Sequence, residues 1–505
     1  MRSIEAELSP DETIRTLSNR ILQLSEKLQY VIKLISCVGS SCIESTIALF
    51  IDEMKVTRDE LLSCLDLAIH ERLLIKEGPI YRFTHDQIQS ATYSLIPEDE
   101  RCLWHLKVGL AIWTNVPDRR KDDVVFVSAD QINRGIEFIK LEDLRKKVAM
   151  LNLRAGQKAM SLSTFSSAAS YLSTGIKLLN QNCWEKNYDL SLHLHNFYSE
   201  VQYCNGNFRE VGQVTGVVLK EGKSFYDKLR VYRIIMKTLN SDNKLNEAVN
   251  IGIDVVARLG KELPSHYSEP SVFLANVNNI KEKIVSMTVD DFLKIKPMED
   301  SDTLIAMNFL GELALTTCFS KQDICANVTC HMMQLTLDYG VCKESVLCLA
   351  NYSAVLFGFG DIKGSSIVGD FAFKLLDKLD AREFLPQLSI VCWGGALSTR
   401  EPLKMVSENF LHAYKVGMQM GDIHSALLSA HFYCESSIFS GGVELEILER
   451  EIDMFEKQMV DYKQEFNWNL TVSLERIVHI LIYCSSDLSQ HSSEFLVGVK
   501  ELMDD

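Results

Sequence analysis

Gly206-Asn207-Phe208-Arg209-Glu210-Val211-Gly212-Gln213-Val214-Thr215 sets out an order of residue types that recurs along the chain. A turn residue is followed two positions later by an apolar side chain, then by mostly small or β-branched residues at positions five and nine. The order returns as Ser163, Phe165, Ala168, Leu172 and as Asn243, Leu245, Ala248, Gly252. It returns again as Gly360, Ile362, Ser365, Gly369 and as Gly421, Ile423, Ala426, Ala430. The physical logic is that of a helix hairpin. The turn residue reverses the chain, the apolar residue covers the turn, and the pair one helical turn apart lets a neighbouring helix approach.

The spacings between these turns, 43, 37, 117 and 61 residues, are irregular. They predict an α-solenoid of degenerate tetratricopeptide-like hairpins rather than a clean array of about 34-residue repeats. Gly206, Gly360 and Gly421 are its glycine turns. The hairpins are expected over 150–264 and 303–505. An irregular linker over 265–302, punctuated by Pro270 and Pro297, is expected to interrupt them.

Composition agrees with a large, soluble, all-α protein. The chain has 505 residues, 47% of them hydrophobic and 24% charged, too many for one compact core. Only 9 prolines favour helix over strand and turn. A formal charge of −16 disfavours a phosphate-backbone partner, so no nucleic acid is expected. The basic triplets Arg119-Arg120-Lys121 and Arg145-Lys146-Lys147 sit beside acids and read as solvated helix faces. The N-terminus has no apolar signal core, and no C-x-x-C occurs among 14 cysteines. Free thiols in the cytoplasm are the natural reading. The longest uncharged runs, Ser345–Gly360 and Phe384–Thr399, are too short for a bilayer span and read as buried helices.

The first 98 residues have a different texture. Leu22–Cys37 carries Leu28, Val31, Ile32 and Ile35 at helical spacing, and Ile43–Phe50 reads as a second helix. Thr57 with Glu60 forms a capping box at the start of a third. Leu73–Phe83 then reads as two short strands around Gly78-Pro79, followed by a helix from Asp86. Three helices and a two-stranded wing describe a winged helix, with connecting helices expected over 99–149.

Motifs that would carry a reaction are missing from this stretch of protein. No Walker loop, H-E-x-x-H, kinase or nucleophile-elbow pattern occurs. Gly358-Phe359-Gly360-Asp361-Ile362-Lys363-Gly364 imitates a nucleotide fingerprint, but Lys363 stands where the third glycine belongs. Its Gly-Asp-Ile recurs at Gly421-Asp422-Ile423, as repeat turns would. His193 and His195 are two apart on a helix and cannot chelate one ion. Cys325, Cys330 and His331 lack an evident fourth ligand, so no metal is expected. The candidate DNA-reading helix Thr57–Glu71 is acidic, which opposes a groove. No catalytic residue is assigned.

Tyr81-Arg82-Phe83-Thr84-His85-Asp86-Gln87-Ile88-Gln89-Ser90-Ala91-Thr92-Tyr93-Ser94-Leu95-Ile96-Pro97 is the most distinctive stretch. It resembles the F-x-H-D-x-x-Q-x-A-x-Y-x-L-I-P block of large signalling ATPases of the AAA/STAND type. Those proteins join an origin-recognition-type ATPase to a serine/threonine kinase, tetratricopeptide-like repeats, a GAF domain and a sensor histidine kinase. Asn133-Arg134-Gly135, Asn152–Ala159, Asp291-Phe292-Leu293 and Arg400-Glu401-Pro402-Leu403 extend the resemblance over nearly the whole chain. Kinase, Walker-bearing core, GAF and histidine-kinase parts have no counterpart here.

The resemblance implies that His85-Asp86 matches a His-Asp pair that contacts bound ADP, with Thr84 where Met is usual. Thr84 can cap the helix and Gln87 complete a T-x-x-Q box, placing His85 near the positive end of the dipole. A capping role alone explains the same residues. The expected function is a non-catalytic regulatory region that binds protein partners through a helical groove, with Asn196, Ser199, Gln202 and Asn351 as lining positions. No cofactor and no membrane are expected. The rival is a partial ATPase or kinase component, binding ATP or ADP only with a P-loop core supplied elsewhere.

Overall fold

The computed structural model describes residues 10–50, 57–264, 269–318 and 322–483. Linker residues 265–268 and the hairpins expected beyond 483 lie outside the described residues. The chain divides into two compact units: Met1–Met160 with Ser167–Phe197, and Ser161–Ser166 with Tyr198–Asp505.

The first unit begins with α1 (Pro10–Leu22), α2 (Glu26–Val38), β1 (Ser41–Ile43), α3 (Glu44–Ile47) and α4 (Arg58–His70). β2 (Leu74–Glu77), β3 (Ile80–Phe83) and α5 (Asp86–Ser94) follow, then α6 (Arg101–Asn115), α7 (Lys121–Arg134) and α8 (Glu142–Ser161). α2 buries the stripe read from its sequence, Leu28, Val31, Ile32 and Ile35. Each such aliphatic side chain contributes about 1.5–3 kcal/mol when removed from water. α4 starts with the reciprocal box, Thr57 accepting from the Glu60 amide and Glu60 accepting from the Thr57 amide.

The small sheet has three strands rather than the two expected, antiparallel in the order β1-β3-β2. The additional strand pairs Ser41 with Arg82 and Ile43 with Ile80, where a helix from Ile43 was expected. Three residues are too few to show alternation, and only Cys42 faces the core. The helix begins one residue later and gives way to a 3-10 turn at Ala48–Phe50.

Helices continue as α9 (Phe165–Leu178), α10 (Cys183–Lys186), α11 (Tyr188–Cys204), α12 (Phe208–Glu221), α13 (Phe225–Ser241) and α14 (Leu245–Arg258). Next come α15 (Pro270–Val285), α16 (Val289–Leu293), α17 (Ser301–Cys318), α18 (Gln322–Tyr339), α19 (Ser345–Gly358) and α20 (Ile362–Lys378). The last are α21 (Leu385–Trp393), α22 (Leu403–Met420), α23 (Ile423–Ser440), α24 (Leu445–Asp461) and α25 (Glu465–Tyr483). Within the second unit, successive helices pack as pairs, among them α13 on α14, α19 on α20 and α22 on α23. Gly252 shows why a small residue recurs: a Cβ there would lie 2.6 Å from Leu313 Cδ2.

The expected irregular linker is mostly helix. Pro270 occupies the first turn of α15, where its missing N–H costs nothing, so the proline starts a helix instead of breaking one. Val277, Ile280 and Ile284 are buried, and the Tyr352 hydroxyl donates to the Val277 carbonyl at 2.6 Å. Pro297 pairs with Val341 in an isolated bridge. α19 is buried along most of its length. Among the described residues no helix is long and apolar enough to cross a membrane.

Candidate functional site

All five turn residues read from the repeats lie in the left-handed region. Their φ values are 56° at Ser163, 68° at Gly206, 57° at Asn243 and 79° at both Gly360 and Gly421. After four of them, the next amide donates five residues back: Asn207 to Gln202, Lys244 to Leu239, Asp361 to Leu356 and Asp422 to Gly417, at 2.8–3.0 Å. This is the reversal that satisfies the last carbonyls of a helix. Gly260, Asp380 and Lys463 make the same turn and escaped the sequence reading. At the last two, a charged side chain stands where glycine would have given the signal.

The segment imitating a nucleotide loop is one of these reversals. Asp361 caps α20 by accepting from the Gly364 amide at 3.0 Å, and Lys281 Nζ sits 2.7 Å from its other oxygen. The amide a phosphate would need is taken by the chain's own carboxylate. Asp422 repeats the device on α23, accepting from Ser425 N at 3.3 Å. The two caps share nearly identical backbone angles, −84°, 70° and −85°, 70°.

Within the second unit, some of these turns meet. A Cβ on Gly421 would lie 2.8 Å from Phe165 Cζ and 3.4 Å from Cys204 Sγ. A Cβ on Gly206 would lie 3.3 Å from the Tyr462 carbonyl. The Ser163 hydroxyl donates to the Gln419 carbonyl, and the Cys204 thiol to the Gly421 carbonyl at 3.8 Å. Turns more than 200 residues apart in sequence thus form a seam. Gly360 takes no part in it, with nothing within 4 Å of an added Cβ.

Charged side chains from distant helices converge near this seam. Arg233 Nε and Lys237 Nζ approach Glu312 Oε1 at 3.4 and 3.3 Å, and Arg233 also donates to Asn308. Gln387 donates to Asp422 at 3.1 Å, while Asn467 donates to the His424 carbonyl and His424 Nδ1 meets Gln464 Oε1. Burial alone would lower the Lys237 amine, but Glu312, aided by Asp422, outweighs it and the net direction is up. Burial lowers His424 against the opposing pull of Asp422 and Gln464. Burial also raises the Glu344 carboxyl, with Arg233 opposing. No sequence motif marked this cluster, because its members come from separate hairpins.

In the first unit, the cap of α5 differs from expectation. His85, not Thr84, is the N-cap: its Nδ1 accepts from the Gln87 amide at 3.1 Å. Thr84 is excluded because its hydroxyl donates to the Arg72 carbonyl at 2.6 Å and its amide to Leu73, extending the sheet edge. Gln87 therefore supplies a backbone amide rather than completing a T-x-x-Q box. With Nδ1 accepting, the neutral His85 ring carries its proton on Nε2 and offers it outward. His85 and Asp86 are both exposed.

The far end of α5 is latched by a buried chain of hydrogen bonds. Gln131 Nε2 donates to the Cys37 carbonyl at 2.9 Å, so its Oε1 accepts from His105 Nδ1 at 2.6 Å. His105 Nε2 then accepts from the Tyr93 hydroxyl at 2.9 Å. Burial keeps His105 below its ordinary pKa.

The remaining candidates have local roles. His193 and His195 each bond the carbonyl four residues back. Cys325 bonds the Ala314 carbonyl and His331 the Lys261 carbonyl. No three His, Cys, Asp or Glu side chains gather as a metal set among the described residues. Asn196, Ser199 and Gln202, expected to line a groove, are buried. Gln202 instead accepts from Asn207 across its own turn at 2.7 Å. α4 carries Glu60 beside Lys27 at 2.7 Å, an ion pair that, with the Thr57 amide, holds the Glu60 carboxyl down to about 2.

No family model matches the chain. It is similar to the hybrid signal transduction histidine kinase G of Dictyostelium discoideum, 23% identical over 204 residues. That match covers 36% of this chain and only 6% of the curated relative's length. Among solved structures, it is similar to a signal transduction ATPase with numerous domains (STAND) carrying a tetratricopeptide repeat sensor, from Pyrococcus horikoshii. The TM-score is 0.42 at 12% identity, over 99% of this chain and 67% of that one.

Proposed function

We propose that the chain is a non-catalytic regulatory region of a signal-transduction protein, its helix hairpins binding protein partners and its winged helix relaying the result. The observation that carries this reading is the 204-residue similarity to a signalling histidine kinase. A helical-hairpin array offers extended surfaces suited to a peptide or helix ligand. The free thiols and the resemblance to signalling ATPases support a cytoplasmic setting.

One observation favours a second reading, in which the chain serves an ATPase core supplied elsewhere. His85 caps α5 through Nδ1 and so presents an Nε2–H donor at a helix N-terminus, the chemistry a nucleotide phosphate requires. Titration calorimetry with ATP and with ADP, run on the purified chain and on the chain mixed with a P-loop ATPase core, separates the two. The regulatory reading expects no heat of binding from the chain alone up to millimolar nucleotide. Micromolar binding by the chain alone overturns it, and a nucleotide affinity of the added core that rises with the chain but not with its His85→Ala variant favours the second.

A further inference from the structure

The seam in the second unit has a small apolar cluster of its own, formed by Tyr203, Cys204, Val211 and Ile234 with Phe165 and Phe208 against them. It is separate from the large cores built around Leu310 and Leu349 and around Phe410 and Phe455. Polar links across it include the Ser163 hydroxyl on the Gln419 carbonyl, Asn205 Nδ2 on the Phe165 carbonyl at 3.3 Å and the long Cys204 thiol contact with the Gly421 carbonyl.

Near this seam lie charges drawn from the beginning, middle and end of the hairpin series: Lys237 on α13, Glu312 on α17, and Asp422 at the start of α23. Glu312 is the buried member of this group, and water entering at the seam would recover part of the cost of desolvating it. The apolar patch favours closure and the charge cluster favours opening. Opposed terms of this kind make an element with two accessible arrangements.

We propose that the seam is a clasp that opens as a local unit, leaving the flanking hairpins folded and making Glu312, 9% exposed beside the partly exposed Arg233 and Lys237, reachable from solvent. Gly421 is its pivot. It needs both a left-handed φ and the absence of a Cβ against Phe165, whereas Gly360 needs only the former. The proposal stands on the seam's own geometry, whichever partner the protein binds.

Cys204 reports on the clasp. It is 6% exposed at the seam, while Cys348 and Cys392 are 0% and 1% exposed in the large core. The experiment is alkylation of the native chain by N-ethylmaleimide, followed thiol by thiol by mass spectrometry. A clasp that opens alone gives Cys204 labelling about tenfold or more faster than Cys348 and Cys392. Gly421→Ala is expected to speed Cys204 by about tenfold more, with Gly360→Ala within about twofold of wild type. Equal labelling of the three thiols in the wild-type chain overturns the proposal, and that measurement decides even if Gly421→Ala fails to fold. So does a folded Gly421→Ala that leaves Cys204 unchanged, or a Gly360→Ala that acts as strongly.

Discussion

Gly360-Asp361-Ile362 and Gly421-Asp422-Ile423 are the same tripeptide in the same backbone conformation, yet they do different work. Both glycines sit at φ 79°, and both aspartates cap the following helix with matching angles. At the first turn, Lys281 answers Asp361 at a partly exposed site, and open space surrounds the glycine. At the second, Phe165 and Cys204 close against the glycine, and Asp422 lies near the Lys237–Glu312 pair. The following residue differs as well, Lys363 in one and His424 in the other. Local sequence dictates how a chain reverses, and what the reversal touches is set by segments far along it.

The comparison breaks most sharply at the charges. Glu312→Ala removes a buried carboxylate that Lys237 and Arg233 share, and the expected loss is about 2–3 kcal/mol. Lys281→Ala at the other turn removes an exposed pair and is expected to cost at most about 1 kcal/mol. Urea unfolding of the two variants measures the difference, and equal losses would show that the Glu312 site is as well solvated as the Asp361 site.

Next come the glycines themselves. Gly360→Ala carries only the left-handed penalty of about 1 kcal/mol, whereas Gly421→Ala adds overpacking against Phe165, for about 2–4 kcal/mol in total. Thermal melts of both variants check the ordering. A Gly421→Ala no worse than Gly360→Ala would mean that Phe165 gives way freely.

The smallest effect is in pH. His424 is held below its unfolded pKa of about 6.5, so it is neutral in the folded chain and unfolding takes up a proton in acid. Its contribution is fully present above pH 6.5 and fades as pH falls toward the depressed folded value. Glu344, raised by burial, runs the opposite way, losing stability as pH rises. The informative quantity is therefore the difference between wild type and His424→Gln. Between pH 7.5 and pH 5, the wild-type urea midpoint should fall further than that of the variant. Parallel curves would show that His424 does not sense the fold.

Much of the secondary structure was legible because it rests on local chemistry. The α4 capping box, the α2 stripe and the five left-handed turns each depend on residues within a few positions of one another. The misses have equally definite causes. β1 was too short to show a period, Pro270 signals a helix start as readily as a break, and Thr84 lost the cap to His85 by bonding across to Arg72. The charge cluster near the seam had no local signature at all, since Lys237, Glu312 and Asp422 stand 75 or more residues apart.

Residue order alone determined that this chain is helical, where it reverses, and which short motif, Phe83 to Pro97, sets its beginning apart. Backbone torsion and helix periodicity are short-range forces, so a few neighbours suffice to decide them. Only the tertiary structure decided that Gly421 meets Phe165 while Gly360 meets nothing, and that Lys237 finds Glu312. Those pairings depend on how successive hairpins stack, a sum of small rotations that no single segment encodes.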